Sequence, residues 1–254
     1  MTFGDLRVAV VIPAFDEEAL ISTAIRSVPE WVDDVIVVDD GSTDATFARA
    51  REASTNRVSI VRHEVNLGVG AAIGTGYRLA FDRGADVAAV MAGDAQMDPA
   101  DLGRLVEPIA RDAADYVKGD RLGHPSVRSE MPFARLLGNH VLSWLTRLAV
   151  GLPSVSDSQC GYTVLSRAAC RFLDLDVIYP RYGYPNDVFA RLHSAGVRIA
   201  SIVVRPVYGA EKSGITLWTA LFRIPLLLAR IFGRRVARSW ARRSTARVSP
   251  QKCA

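Results

Sequence analysis

Four short apolar runs, each ending at polar residues, constrain this chain more than any other feature. Residues 8–12 are an unbroken run of Val, Ala and Ile, and residues 35–38, Val58–Arg62 and residues 87–91 repeat the device. Runs of this kind, rich in β-branched residues, are expected of strands covered on both faces. Between them, residues 17–27, 43–53 and 70–83 have helical character; in the first, Leu20, Ile21, Ala24, Ile25 and Val28 recur at helical spacing. Strand alternating with helix predicts an α/β fold, a mostly parallel sheet flanked by helices on both faces. Ligands of such sheets sit outside the carboxyl ends of the strands. Three polar, acid-bearing stretches fall there: Pro13-Ala14-Phe15-Asp16-Glu17, Asp39-Asp40-Gly41-Ser42-Thr43-Asp44 and Gly93-Asp94-Ala95-Gln96-Met97-Asp98.

At 254 residues, 49% of them hydrophobic, the chain is long enough and apolar enough to bury one large core. Three cysteines without C-x-x-C spacing fit neither a disulfide framework nor a zinc site, so a reducing cytosolic setting is expected. The first residues lack the basic start and cleavage site of a signal peptide, and their apolar run reads as a buried strand. The net charge of +4 is unevenly spread, because residues 223–252 hold many arginines and no Asp or Glu. Such an end suits anionic lipid or nucleic acid. No base-reading module accompanies it, so a nucleic-acid partner is not expected.

Each acidic stretch has a plain structural reading beside a functional one. Asp39, Asp40 and Asp44 around Gly41 and Ser42 can form a turn and cap the next helix. Two adjacent acids after a buried strand also need donors or a cation, which a ribose or base edge supplies. Asp94 and Gln96 offer hard oxygen ligands two residues apart, suited to a divalent ion that also binds diphosphate oxygens; the alternative is a turn with Asp98-Pro99 opening the next helix. The glycines of Asn66-Leu67-Gly68-Val69-Gly70 look like a phosphate loop, but the Lys-Ser/Thr of a P-loop is missing, and a tight turn with close helix packing, lining the donor site, is the better reading.

In order along the chain, VVIPAFDEE, VIVVDDGSTDAT, NLGVGAAIGTGY, VMAGDAQMDP, KGDRL and SDSQCGYTVLSR resemble the inverting family-2 glycosyltransferases, most of all the polyprenyl-phosphate sugar synthases. The likeness covers residues 8 to about 210. It implies a GT-A, Rossmann-like fold that binds a nucleoside diphosphate sugar, UDP- or GDP-linked, with Mg²⁺ or Mn²⁺. Pro13, Ala14, Asp16 and Glu17 match the loop that holds the nucleobase, and Asp39 with Asp40 matches the acids near base and ribose. Asp94 matches the second acid of the metal-binding D-x-D, and Gln96 a further ligand. Ala92 stands where the first acid belongs, so weaker metal binding or greater reliance on diphosphate and water is implied. Arg121 matches an arginine that meets phosphate, with Arg135 a second candidate. Asp157 matches an acid on the acceptor side, a candidate general base if the acceptor is a hydroxyl. If it is a phosphate, already ionised, positioning is enough. Asp187 is the rival base and ranks second. The stretch 208–215, with Glu211 and Lys212, falls where the synthases have an Arg-rich lid loop, but its sequence differs.

Residues 215–232 are strongly apolar, yet Arg223, Pro225 and Arg230 interrupt them, which argues against a spanning helix. Leu, Phe, Ile and Trp interleaved with Arg from residue 217 to 240 suit a pair of helices lying on an anionic membrane surface; a docked terminal helix with a solvated tail is the alternative. The expected organisation is a transferase domain over residues 1–214, amphipathic helices over 215–243 and a basic tail over 244–254. Three functions follow: an inverting transferase acting on a polyprenyl phosphate at the cytoplasmic membrane face, a soluble transferase acting on a small hydroxylated or glycan acceptor, and, because of Ala92, a silent nucleotide-sugar-binding protein.

Overall fold

The computed structural model describes residues 3–153, 156–207 and 222–246. Seven strands form one sheet: β1 (Val8–Ala14), β2 (Asp34–Asp39), β3 (Val58–Arg62), β4 (Val87–Val90), β5 (Tyr116–Asp120), β6 (Thr163–Ser166) and β7 (Ile199–Val203). Their order across the sheet is β3-β2-β1-β4-β6-β5-β7. The first four are parallel to one another, β6 runs antiparallel to both β4 and β5, and β7 is parallel to β5. Because β6 reverses the direction twice, β5 and β7 point the same way as β1. The carboxyl ends of six strands and the start of β6 therefore share one edge.

The helices of the first half are α1 (Ile21–Ser27), α2 (Thr46–Glu52), α3 (Val69–Asp82) and α4 (Leu102–Ala110), the last preceded by a 3-10 turn at Pro99–Asp101. Two apolar layers result. Val11, Ile36 and Val38 meet α3 through Ile73 and Tyr77 on one face, while Val10, Ile12 and Val37 meet α1 and α4 on the other. This is the mostly parallel, helix-flanked sheet that the apolar runs predict. Two helices start later than their residues suggest. The amides of Glu17 and Glu18 go to Thr46 Oγ1 (2.7 Å) and Asp44 Oδ2 (3.1 Å), so residues 17–20 form a turn ahead of α1. Asp44 Oδ1 accepts the Thr46 amide at 2.9 Å, which sets the start of α2.

The second half adds α5 (Val127–Glu130), α6 (Phe133–Val150), α7 (Arg167–Cys170), α8 (Tyr184–Ser194) and α9 (Ile224–Ala246). Ile224, Leu227, Leu228 and Ile231 of α9 are buried with α6 and α8 in the larger core, so its first turns are docked. Pro225 lies in its first turn, where a missing N–H costs nothing. Within the span expected to hold amphipathic helices, one helix runs from Ile224 to Ala246; residues 217–221, and the stretch carrying Glu211 and Lys212, lie outside the described residues. No helix among the described residues is long and apolar enough to cross a membrane.

Candidate active site

The shared strand edge opens into a cavity of about 790 Å³. Pro13 from the end of β1, Ala92, Asp94 and Gln96 after β4, Arg121 after β5, Gln159 to Tyr162 before β6, and Val204 and Arg205 after β7 all line it. The opposite wall is helical, with Leu137, Val141, Leu142 and Leu145 of α6 and Pro185 of α8. Arg135, also on α6, reaches the same space. Thus Pro13, Asp94, Gln96, Arg121 and Arg135 are brought together, whereas Ala14, Asp16, Glu17, Asp39, Asp40, Asp157 and Asp187 do not line the cavity.

The acids after β1 and β2 are knitted to each other. Ala14 is buried and its carbonyl accepts the Asp40 amide at 2.8 Å. Asp16 adopts a left-handed backbone, φ 54°, and its carboxylate accepts the Thr43 amide at 2.8 Å while its own amide donates to Ser42 Oγ. Asp40 uses both oxygens: Oδ1 meets His63 Nδ1 (2.7 Å) and the Leu67 amide (3.0 Å), and Oδ2 accepts the Gly68 amide (2.7 Å). It holds the glycine loop. Asp39 differs, for Oδ1 accepts the Ser42 amide at 3.0 Å, while buried Oδ2 lies 3.1 Å from Arg62 Nε but accepts no hydrogen bond among the described residues.

The glycine loop is not a phosphate cradle. The amides of Gly70 and Ala71 both point at the carbonyl of Pro180, at 2.7 and 3.3 Å. A Cβ on Gly70 would stand 2.2 Å from the Tyr179 carbonyl, and one on Gly68, whose φ is 104°, 2.4 Å from that of Pro180. The glycines allow segment 179–183 to lie against the start of α3, which brings Tyr182 to the cavity. Burial, with Asp94 and Glu17 nearby, pushes the Tyr182 hydroxyl above its ordinary pKa, so it stays a donor at neutral pH. Tyr182 has no signal in the sequence; only the fold puts it beside Asp94.

Asp94 and Gln96 flank Ala95, a non-glycine residue at φ 56°, and the Gln96 amide donates to Asp94 Oδ1 at 3.0 Å. The left-handed residue, disfavoured by about 1–2 kcal/mol, keeps both neighbours at the cavity wall. No group of three or more His, Cys, Asp or Glu side chains able to hold a metal occurs among the described residues. The chain thus offers one carboxylate and one amide oxygen, with the methyl of Ala92 beside them on the wall. That set fits Mg²⁺ or Mn²⁺, hard ions commonly held by one or two carboxylates with phosphate and water completing the shell.

Arg121 is clamped from behind. Its Nε and Nη2 donate to Asp157 Oδ2 and Oδ1 at 2.8 and 3.1 Å, and its amide adds a third bond at 3.2 Å. Burial alone would push the Asp157 carboxyl up; the charge and hydrogen bonds of Arg121, with Lys118 nearby, outweigh it and hold the group below the usual carboxylate range. Lys118 is itself buried and donates Nζ to the Cys160 carbonyl, and burial pulls its pKa down. Asp187 lies apart from this cavity. It is buried on α8, pairs with Arg191 Nε at 2.9 Å, accepts the Tyr179 amide at 3.0 Å, and borders a separate cavity of about 320 Å³ with Arg234 and Arg235 of α9.

A sheet edge that gathers an Asp and a Gln with arginines, facing an apolar helical wall, defines an α/β domain able to take an anionic ligand through a divalent ion. The glycosyl transferase family 2 model matches residues 9–173, and the chain belongs to that family of enzymes. It is 30% identical over 220 residues to the UDP-N-acetylglucosamine–dolichyl-phosphate N-acetylglucosaminyltransferase of Methanococcus voltae, covering 81% of this chain and 87% of that one. The undecaprenyl-phosphate mannosyltransferase of Micrococcus luteus is 32% identical over 206 residues, covering 78% and 83%. Among solved structures, glucosyl-3-phosphoglycerate synthase of Mycobacterium tuberculosis, in complex with Mn²⁺, UDP and glucosyl-3-phosphoglycerate, superposes with a TM-score of 0.67 at 23% identity over 92% of this chain and 85% of that one. The last likeness bears out the GT-A-like fold.

Proposed function

We propose that this transferase moves a sugar, with inversion, from a nucleoside diphosphate sugar to a polyprenyl phosphate at the cytoplasmic face of the membrane. One observation carries the reading. Among the described residues that line the cavity, Asp94 is the only carboxylate, against Arg121, Arg135 and Arg205 and an apolar wall from α6. With Asp94 committed to a cation, no other carboxylate among the described residues lines the space to deprotonate a hydroxyl. A phosphate needs no base at neutral pH, only cations to hold it and a near-attack geometry. The apolar wall suits the chain behind that phosphate.

The roles divide accordingly. Asp94 and Gln96 would hold Mg²⁺ or Mn²⁺, which offsets charge on the leaving diphosphate. Asp39 keeps one carboxylate oxygen for an N–H of the nucleobase, and the loop of Pro13, Ala14, Asp16 and Glu17 frames it. Asp40 acts at one remove by fixing the glycine loop. Arg121 presents its guanidinium to phosphate, and Asp157 acts through it, as a positioning residue rather than a base. Asp187 ties α8 to segment 177–179 and lies outside the chemistry. The relatives that act on dolichyl and undecaprenyl phosphate support the acceptor class. The basic α9 supports a place at an anionic surface.

A panel of UDP- and GDP-sugars, each with Mn²⁺ and either a polyprenyl phosphate or phosphoglyceric acid, tests the proposal. One donor should give product with the polyprenyl phosphate and none with phosphoglyceric acid. Transfer to the soluble acid alone would replace this reading, and donor binding without turnover would support the silent binding protein.

A further inference from the structure

Helix α6 is built inside out. Its buried face carries Asn139, Ser143 and Thr146 beside Leu142, Ala149 and Val150. The polar ones are satisfied internally: Thr146 Oγ1 donates to the Leu142 carbonyl at 2.8 Å, and the Ser158 amide donates to Ser143 Oγ at 3.0 Å. Its outer face is apolar. Phe133, Leu137, Val141, Trp144 and Leu148 recur at intervals of four, four, three and four residues, one stripe along the helix. All five are exposed, from 49% for Val141 and Leu148 to 79% for Phe133. Single exposed apolar residues are ordinary, but a continuous apolar stripe marks an interaction surface.

The charges around the stripe select the partner. From Phe133 to Val150 the helix contains Arg135, Arg147 and no acid. Helix α9 packs against it, also contains no acid, and exposes Phe232, Val236 and Trp240 at intervals of four. Two copies meeting on these faces would set arginine against arginine without a carboxylate from either helix to separate them. An anionic bilayer offers both complements, apolar depth for the stripe and phosphate for the arginines. Leu137 and Val141 belong at once to the stripe and to the cavity wall, so a bilayer on the stripe would lie at the mouth of the active site.

We propose that α6 is a membrane-docking helix: its exposed stripe enters the headgroup boundary of an anionic bilayer and directs the cavity mouth toward it. The proposal extends the membrane-face reading above, but it stands on α6 rather than on the basic C-terminal region, and its test reads lipid contact rather than transfer to a polyprenyl phosphate. In the full chain carrying Trp31→Phe, Trp218→Phe and Trp240→Phe, Trp144 is the sole tryptophan. With phosphatidylglycerol-rich vesicles its emission should shift to the blue and be quenched by bromine on the upper acyl chains. In the otherwise native chain, Trp144→Glu combined with Leu148→Glu should weaken vesicle binding about tenfold or more. Donor binding and transfer to a short-chain, water-soluble acceptor should be unchanged, which also shows that the variant is folded. Vesicle binding with Trp144 unshifted and unquenched would overturn the proposal, as would a Trp144 already shielded before lipid is added, or a double variant that binds as well as the native chain. Failure of the acceptor reading would look different: vesicle binding intact, and no transfer to any polyprenyl phosphate.

Discussion

The two sides of the cavity are made in opposite ways. On the donor side, short loops follow parallel strands, and their polar groups are fixed by backbone amides a few residues or one strand away, as Asp39 is by Ser42 and Asp40 by Gly68. On the side proposed for the acceptor the wall comes from helices, and the buried charge pair beside it, Arg121 with Asp157, joins residues thirty-six apart. The donor side is held by hydrogen bonds within and between its loops; the side proposed for the acceptor depends on how α6, α8 and α9 pack. Changes on the donor side should therefore remove chemistry and spare the fold, whereas changes on the acceptor side should touch both.

Asp94→Ala should break the donor side most completely. Losing the one carboxylate that lines the cavity among the described residues should lower turnover about a thousandfold, on the order of 4 kcal/mol of transition-state stabilisation. The melting temperature should stay near that of the native chain, and steady-state kinetics with saturating Mn²⁺ read the loss. Retention of near-native turnover would remove the assigned metal site.

Asp157→Asn should have a smaller kinetic effect but a structural one as well. With the clamp weakened, turnover should fall about ten- to a hundredfold, while the donor dissociation constant changes little. Breaking a buried ion pair costs about 3–5 kcal/mol, so denaturant unfolding should register it. The pH dependence gives a further sign. The folded carboxyl lies below its ordinary value of 3.8, so its contribution is complete above that pH and is lost as pH falls through 3.8 toward the folded value. The Asn variant should lack that acid-side loss and show a flatter stability curve below pH 3.8. Asp187→Asn is the contrast: stability should drop, and turnover on the folded protein should hold. Loss of turnover in Asp187→Asn with Asp157→Asn unaffected would reverse the roles.

The smallest effect expected lies on the seam between the two sides. Gly70→Ala places a methyl 2.2 Å from the Tyr179 carbonyl and 2.9 Å from Tyr184 Cβ, so segment 179–184 must retreat. A loss of about 1–3 kcal/mol is expected from such overpacking. Because Tyr182 rides on that segment, the Michaelis constant for donor should rise with it. An unchanged melting temperature would mean that the seam is looser than its hydrogen bonds indicate.

The same contrast explains what the sequence made legible. Strands β1, β2 and β4 stand out because apolar runs buried on both faces need no partner to be recognised, the edge strand β3 shows through its own short apolar run, and Asp94 and Gln96 follow soon after β4. Strand β6 gives no such signal: Thr163–Ser166 is four residues long and enters the sheet between β4 and β5, out of sequence order. The partners of Asp40 and Asp157 could not be read from residue type. An acid that binds a ligand and an acid that holds a loop or an arginine look alike until their partners are known, and those partners, Gly68 and Arg121, are distant in the chain. The stripe on α6 is plain in the residue spacing, but helical periodicity does not say which face meets the core. Only the burial of Asn139, Ser143 and Thr146 shows that the apolar side is outside.

The proposed acceptor arrives already ionised, because among the described residues the cavity is lined by three arginines and a single carboxylate, Asp94, to which the proposal gives a cation. The most direct measurement compares kcat/KM for a polyprenyl phosphate and for the free polyprenol of the same chain length, with the donor and metal held constant. The account predicts turnover of the phosphate and a discrimination against the alcohol of about ten-thousandfold or more, as expected where buried charged groups are left without their partner. Comparable rates with the alcohol would contradict it, and would require a general base that the arrangement of Asp94, Arg121 and Asp157 does not provide.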